Sequence, residues 1–115
     1  MKQAAPQPTA SAGPGDRIGL DLGTTVLKGV RLRADGSLVA AAECPAHYNR
    51  PHDGWVETDP EAHWQAVADL LRQLADAAPV TIAAVAASGA SGNTLLADAD
   101  GRPLRPIINW MDQRC

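Results

Sequence analysis

The chain contains no phenylalanine, a single tyrosine and three tryptophans, so aromatic side chains make up only 3% of its 115 residues. A core built without them must come from Val, Ile, Leu and Ala. With about 100 ordered residues, such a core is near the size at which it stabilises a fold only marginally. Long apolar runs are also missing: none approaches the ~18 residues that a bilayer-spanning helix needs, and no membrane association is expected. There is no cationic excess. Ten Lys and Arg face thirteen Asp and Glu, the net charge is −3, and the basic residues do not cluster, so nucleic acid is not an expected partner. The two cysteines, Cys44 and Cys115, form no framework of closely spaced pairs, which argues against a disulfide-stapled secreted fold. The three histidines, His47, His52 and His63, do not stand at zinc-ligand spacing with them and read as loop and surface residues. A cytoplasmic location is the default expectation.

Residues 1–16 are a Lys, Gln, Ala, Pro, Ser and Gly segment without periodicity. Such a segment buries too little apolar area to offset its ordering entropy, so it is expected to be a disordered tail. It has no apolar stretch of the signal-peptide kind. From residue 17 the pattern changes. Ile18, Leu20 and Leu22 alternate with Gly19, Asp21 and Gly23, which predicts a strand over 17–23. A second strand follows over 25–33, with Val26, Val30 and Leu32 sharing a face with Lys28 while Arg31 and Arg33 face the other way. Asp35-Gly36 marks a hairpin turn, and a third strand runs over 38–44, giving an antiparallel meander. Asp59, Pro60 and Glu61 read as N-cap, first helical position and acidic first turn after a loop over 46–58. Trp64, Val67, Leu70, Leu71 and Leu74 form the apolar stripe of that helix, which Pro79 stops. The unbroken run 80–87 predicts a central strand buried on both faces. A Gly/Ser loop over 88–93 precedes a short strand over 94–97, a turn over 98–101 and an edge strand over 104–110. Strands on a sheet with one helix give an α/β or α+β layer architecture, α/β being the class expected, and one helix leaves an apolar sheet face exposed.

The segment with most chemistry in it is Asp21-Leu22-Gly23-Thr24-Thr25-Val26-Leu27-Lys28. Phosphoryl transfer from ATP calls for backbone N–H groups close to the phosphates, and a turn at Gly23, with no Cβ, permits that approach. Thr24 and Thr25 offer hydroxyl donors. Asp21, one residue before the turn, offers a carboxylate to Mg²⁺, in practice through water because this ion keeps much of its hydration shell. Lys28 would neutralise phosphate charge or pair with Asp21. The two charges stand among residues that would otherwise be core, where an unpaired charge is costly. The plainer alternative is an ordinary β-hairpin in which Asp21 caps its own turn.

Residues 18–25 together with Lys28 resemble the opening of the ribonuclease H-like, actin-like ATPases, a group that includes sugar kinases, heat-shock chaperones and actin. The segments 52–60 (His-Asp-Gly-Trp-Val-Glu-Thr-Asp-Pro), 61–64 (Glu-Ala-His-Trp) and 104–114 (Leu-Arg-Pro-Ile-Ile-Asn-Trp-Met-Asp-Gln-Arg) resemble the FGGY carbohydrate kinases, in particular their xylulokinase-like members, with glycerol kinase more distant. The resemblance runs from residue 17 to the last residue. It implies a partial ribonuclease H-like fold, residues 17–115 forming the N-terminal part of the first kinase domain. It also implies ATP and Mg²⁺ as cofactors and a small-molecule sugar or polyol as substrate, with a homodimer as one option for the full-length enzyme. By the same resemblance Asp21, Gly23, Thr24, Thr25 and Lys28 are the ATP-phosphate hairpin, with Asp21 toward the metal. Trp110 matches a tryptophan lining the sugar pocket in glycerol kinase, and Asp112 and Arg114 match the polar residues after it. Their plain readings are a hydrophobic plug and a surface ion pair.

Two departures qualify this. Where xylulokinases carry a Gln-Met-His run against the sugar, the chain has Gly89-Ala90-Ser91-Gly92-Asn93. Ser91 and Asn93 keep hydrogen-bonding capacity for a polyol, but the loss of bulk argues against xylulose itself and leaves room for a larger or differently shaped sugar. The second departure is length: the family's general-base aspartate and its adenosine-holding domain are expected beyond Cys115. A phosphorylation assay of the purified chain with a panel of pentoses and polyols is therefore expected to show no turnover. Two other readings stay open, an actin-like or chaperone-type ATPase fragment and a non-catalytic interaction module.

Overall fold

The structure is a computed structural model, and it describes residues 14–114. The tail expected over 1–16 lies mostly outside the described residues. At its end the expectation is corrected, because Asp16 opens the first strand and is buried.

Three strands form the expected meander: β1 Asp16–Leu22, β2 Val26–Leu32 and β3 Leu38–Pro45. The β2–β3 turn carries Gly36 at φ 87°, the left-handed conformation for which glycine is favoured. A two-residue strand β4, Glu57–Thr58, precedes the helix α1, Pro60–Ala75, and β5, Ile82–Gly89, then returns alongside β1. The sheet order is β3-β2-β1-β5, with β1–β2 and β2–β3 antiparallel and β1–β5 parallel. A right-handed crossover through a helix is the usual way to make such a parallel pair.

The helix starts where the sequence indicates. The Asp59 carboxylate accepts hydrogen bonds from the backbone N–H groups of Glu61 (2.9 Å) and Ala62 (3.1 Å), satisfying two donors that the first turn leaves free. The buried line of α1 runs through Val67, Ala68, Leu70 and Leu74 onto Ile18, Leu20 and Leu27. Trp64 has the helical angle of that stripe but lies one turn short of it and is 56% exposed, contrary to expectation. Gly29 permits the close approach of helix to sheet: a Cβ there would lie 2.5 Å from Leu74 Cδ1.

The helix covers the face of β2 that carries Leu27, Gly29 and Arg31, not the face of Val26, Lys28 and Val30. Arg31, placed by alternation on the face opposite Val26, Val30 and Leu32, is 0% exposed. Its Nε donates to Asp16 Oδ2 at 2.7 Å, and its other nitrogens donate to the carbonyls of Leu74 (3.1 Å), Ala75 (2.6 Å) and Val80 (2.7 Å). A single guanidinium thus binds the last carbonyls of the helix, Leu74 and Ala75, and the helix closes at Ala75, ahead of Pro79.

β5 also departs from expectation. It is an edge strand with Val85 54% exposed, not a strand buried on both faces. Among the described residues it pairs only with β1, while α1 packs over β2 and β3, so no layer lies above or below residues 83–87. The uncovered sheet face, expected from the single helix, is present. Asp21 and Lys28, placed by sequence among would-be core residues, stand on it exposed to solvent.

The C-terminal segment is less regular than its apolar pattern suggests. Only Ile107–Ile108 forms a strand, β6, which pairs with β4 in a part of the chain read as loop. The expected strand over 94–97 contributes isolated bridges, Thr94 to Ile108 and Ala97 to Pro103. Pro103 and Pro106 lack the N–H groups that a continuous ladder would use. Among the described residues no helix is long and apolar enough to cross a membrane.

Candidate active site

Parallel strands β1 and β5 end side by side, Leu22 opposite Gly89, and the Ala90 N–H extends the ladder to the Leu22 carbonyl at 3.2 Å. Beyond these carboxyl ends lies a cleft of about 220 Å³. This is where ligands bind in open α/β sheets, because the loops leaving adjacent strands diverge there. Gly23 and Thr24 of the β1–β2 turn form one wall and Gly89, Ala90 and Asn93 another. Thr58, His63 and Asn109 close the remainder, with His47 from the segment after β3.

The β1–β2 turn is tight. A Cβ on Gly23 would stand 2.6 Å from the Val26 carbonyl oxygen, so the turn requires glycine through contact with backbone and not through a left-handed φ. Thr25 is exposed, and its carbonyl accepts from the Ala46 N–H at 2.9 Å, which ties the end of β3 to the turn.

Trp110 reaches the same place from the far end of the chain. Its indole Nε1 donates to Thr24 Oγ1 at 2.8 Å, and its backbone N–H donates to Asn93 Oδ1 at 2.8 Å. Gly92 has φ 90° and would place a Cβ 3.3 Å from Trp110 Cβ, so the loop 89–93 closes directly over the tryptophan. Trp110 is half-exposed and is not the hydrophobic plug that an edge strand would suggest. Ser91 is exposed on the same loop.

Two groups of sequence-identified residues lie elsewhere. Asp21 and Lys28 are opposed in the β1–β2 register, and Ser88 opposes Asp21 from β5. All three line a groove on the uncovered sheet face, next to the turn but not in the cleft. Among the described residues no hydrogen bond or ion pair engages the Asp21 carboxylate or the Lys28 ammonium. Asp112 and Arg114 do not line the cleft. The Asp112 side chain is 1% exposed; its Oδ2 accepts from the Val56 N–H at 2.7 Å and from Arg114 Nη2 at 2.6 Å. The fork of Arg114 beside it holds the Asp112 carboxyl far below the usual carboxylate range, and Asp112 and Glu57 hold the Arg114 guanidinium charged. Arg114 also bonds Glu57 at 2.9 Å and stacks 3.8 Å above the Trp55 ring, so the pair braces the segment on which Trp110 stands.

His47, His63 and Asn109 escaped the sequence reading as site residues. His63 is in the first turn of α1 and His47 just after β3, and no short-range spacing links them. Among the described residues no group of three or more His, Cys, Asp or Glu could hold a metal ion.

The model of the FGGY family of carbohydrate kinases, N-terminal domain, matches residues 17–115. The chain belongs to that family. It is 39% identical over 99 residues to the xylulose kinase of Escherichia coli (strain K12), covering 85% of this chain and 20% of the relative. It is also 39% identical over 103 residues to the glycerol kinase of Rhodospirillum centenum (strain ATCC 51521 / SW), covering 84% and 20%. The crystal structure of xylulose kinase from Rhodospirillum rubrum matches with a TM-score of 0.80 at 33% identity, over 87% of this chain and 21% of that one. This FGGY chain therefore spans about a fifth of the length of the curated relatives it matches. Its sheet and helix are part of the actin-like ATPase fold of these kinases. An actin- or chaperone-type reading is not favoured by the family match.

Proposed function

We propose that the chain is the phosphate-facing part of an ATP-dependent carbohydrate kinase that transfers the γ-phosphoryl group to a hydroxyl of a sugar or polyol, acting in the cytoplasm. The observation that carries this reading is the meeting of the Gly23–Thr24 turn with Asn93 around one cleft at the strand ends, with Trp110 bonded to Thr24 beside it, in a chain of this family.

The residues present fit the cofactors. Asp21 offers a carboxylate with no partner among the described residues, and one or two carboxylates suffice for an Mg²⁺ that otherwise keeps water and phosphate oxygens. Lys28, opposite it, supplies a compact positive charge. When bound, magnesium ATP would supply the transferable phosphoryl group and the charge that draws it to this corner. The chain's own share is positioning. Gly23 bares backbone N–H groups, Thr24 and Thr25 present hydroxyls, and Lys28 offsets negative charge, which is the kind of contribution that dominates phosphoryl transfer.

The acceptor would lie against Trp110, with Asn93 and Ser91 as hydrogen-bonding groups. Equal identity to a xylulose kinase and a glycerol kinase leaves the substrate at the level of sugar or polyol. The small residues of loop 89–93 favour an acceptor shaped differently from xylulose. Asp112 and Arg114 would act on it through the placement of Trp110.

Calorimetric titration of the purified chain with magnesium tripolyphosphate tests the phosphate reading. Saturable binding is expected, weakened about tenfold or more by Asp21→Asn, since bonds to charged groups are worth roughly 1.5–3 kcal/mol. Absence of saturable binding to the wild-type chain, or an unchanged affinity in Asp21→Asn, would remove its basis.

A further inference from the structure

We infer that Trp110 is a positioning residue for the phosphate turn: its indole N–H fixes the Thr24 hydroxyl so that the hydroxyl proton is presented to a phosphate oxygen in the cleft. The inference rests on the phosphate reading above and goes beyond it, because it gives the tryptophan a task toward the nucleotide side in addition to its place on the acceptor side.

The polarity of the contact is what matters. An indole nitrogen only donates, whereas a threonine hydroxyl has one proton to give and two lone pairs to receive with. At 2.8 Å from Trp110 Nε1, Thr24 Oγ1 is therefore the acceptor. One lone pair is occupied, so rotation of the hydroxyl about its C–O bond is restricted and the proton must point away from the ring. Among the described residues that proton has no protein acceptor, and Thr24 lines the cleft. A donor without a partner, aimed into a cavity next to a glycine turn, suits an oxyanion.

Trp110 is itself held in place. Its backbone N–H is taken by Asn93 Oδ1, and the Gly92 backbone runs close enough that an added Cβ would stand 3.3 Å from the Trp110 β-carbon. The ring is thus aimed from its base by loop 89–93. Thr24 in the cleft wall and Trp110 beside it, 86 residues apart in sequence, are joined by one side-chain bond. An acceptor molecule pressing on the ring would act on the same hydroxyl that faces the phosphates.

A double-mutant cycle on the purified chain, read by calorimetric affinity for magnesium tripolyphosphate, tests this. Trp110→Phe keeps an aromatic wall and removes only the donor; Thr24→Val keeps the shape and removes the hydroxyl. The expected result is a loss of about three- to tenfold for Trp110→Phe, the range of one net hydrogen bond, and no further loss when it is added to Thr24→Val. A merely structural role would produce the same loss in both backgrounds, and that outcome overturns the inference. Unchanged or tighter binding by Trp110→Phe, with normal wild-type binding, also overturns it while the phosphate reading stands. A wild-type chain that does not bind tripolyphosphate overturns both.

Discussion

Arg31→Met is expected to lower the unfolding free energy by about 3–5 kcal/mol, the cost of removing one member of a buried ion pair. The guanidinium is fully buried, and four acceptors depend on it: Asp16 Oδ2 and the carbonyls of Leu74, Ala75 and Val80. Methionine fills much of the volume but leaves the buried Asp16 carboxylate without its cation and removes the donors to the Leu74, Ala75 and Val80 carbonyls. Each such group carries a desolvation cost, and a carboxylate the largest. Small domains hold roughly 5–15 kcal/mol in total, so the variant should be largely destabilised at ambient temperature. Arg72→Met is the comparison. Its pair with Asp69 is 2.6 Å long but two-thirds exposed on both sides, and such surface pairs contribute about 0–1 kcal/mol. Urea denaturation of both variants checks the contrast. A similar small shift in the two midpoints would show that the buried cluster does not hold β1, β2 and the end of α1 together. Adding Asp16→Asn to Arg31→Met should recover part of the loss, since the stranded charge is then gone while the bonds to the three carbonyls are still missing.

Arg31 also marks the limit of what the sequence discloses. The helix start was legible because Asp59, Pro60 and Glu61 act within four residues of one another, and the meander because alternation and Asp35-Gly36 are equally local. The burial of Arg31 depends on groups at sequence distances of 15, 43, 44 and 49 residues, which no window contains. Alternation divided β2 into its two faces but could not say which would meet the helix; the helix settled on the face where Gly29 allows close approach. For β5 an apolar run identified a strand but not its neighbours, since Val and Ala are compatible with burial on two faces, one or none. The site divides the same way. Gly23, Thr24, Asn93 and Trp110 were visible through motifs and prove to be adjacent. His47 and His63 read as loop and surface histidines because they stand at no zinc-ligand spacing with the cysteines, and their neighbours in the cleft lie far off in sequence. Asp112 and Arg114 were identified from family likeness as contacts to the substrate, yet their polar atoms are turned toward Val56, Glu57 and each other.

Gly23→Ala is expected to abolish measurable tripolyphosphate binding, a loss of at least tenfold, while costing the fold about 1–3 kcal/mol, as overpacking typically does. The added methyl would stand 2.6 Å from the Val26 carbonyl oxygen, and Val26 opens β2, its backbone fixed in register with Pro45 of β3. No flexible side chain is available to yield, so the turn itself must open, carrying the Thr24 hydroxyl away from the Trp110 indole and the N–H groups away from the cleft. Gly36→Ala separates this steric effect from glycine's conformational one. Gly36 has φ 87° and nothing within 4 Å of an added Cβ, so alanine there is strained by its backbone angle alone, far from the cleft. It should lose stability by a comparable amount and keep full affinity for tripolyphosphate. The two variants, matched in chemistry and similar in stability cost, therefore differ in one property only: whether the β1–β2 turn keeps its shape. Equal affinities in the pair would mean that the shape of this turn does not govern binding, and the assignment of residues 23–25 to phosphate would fail with it.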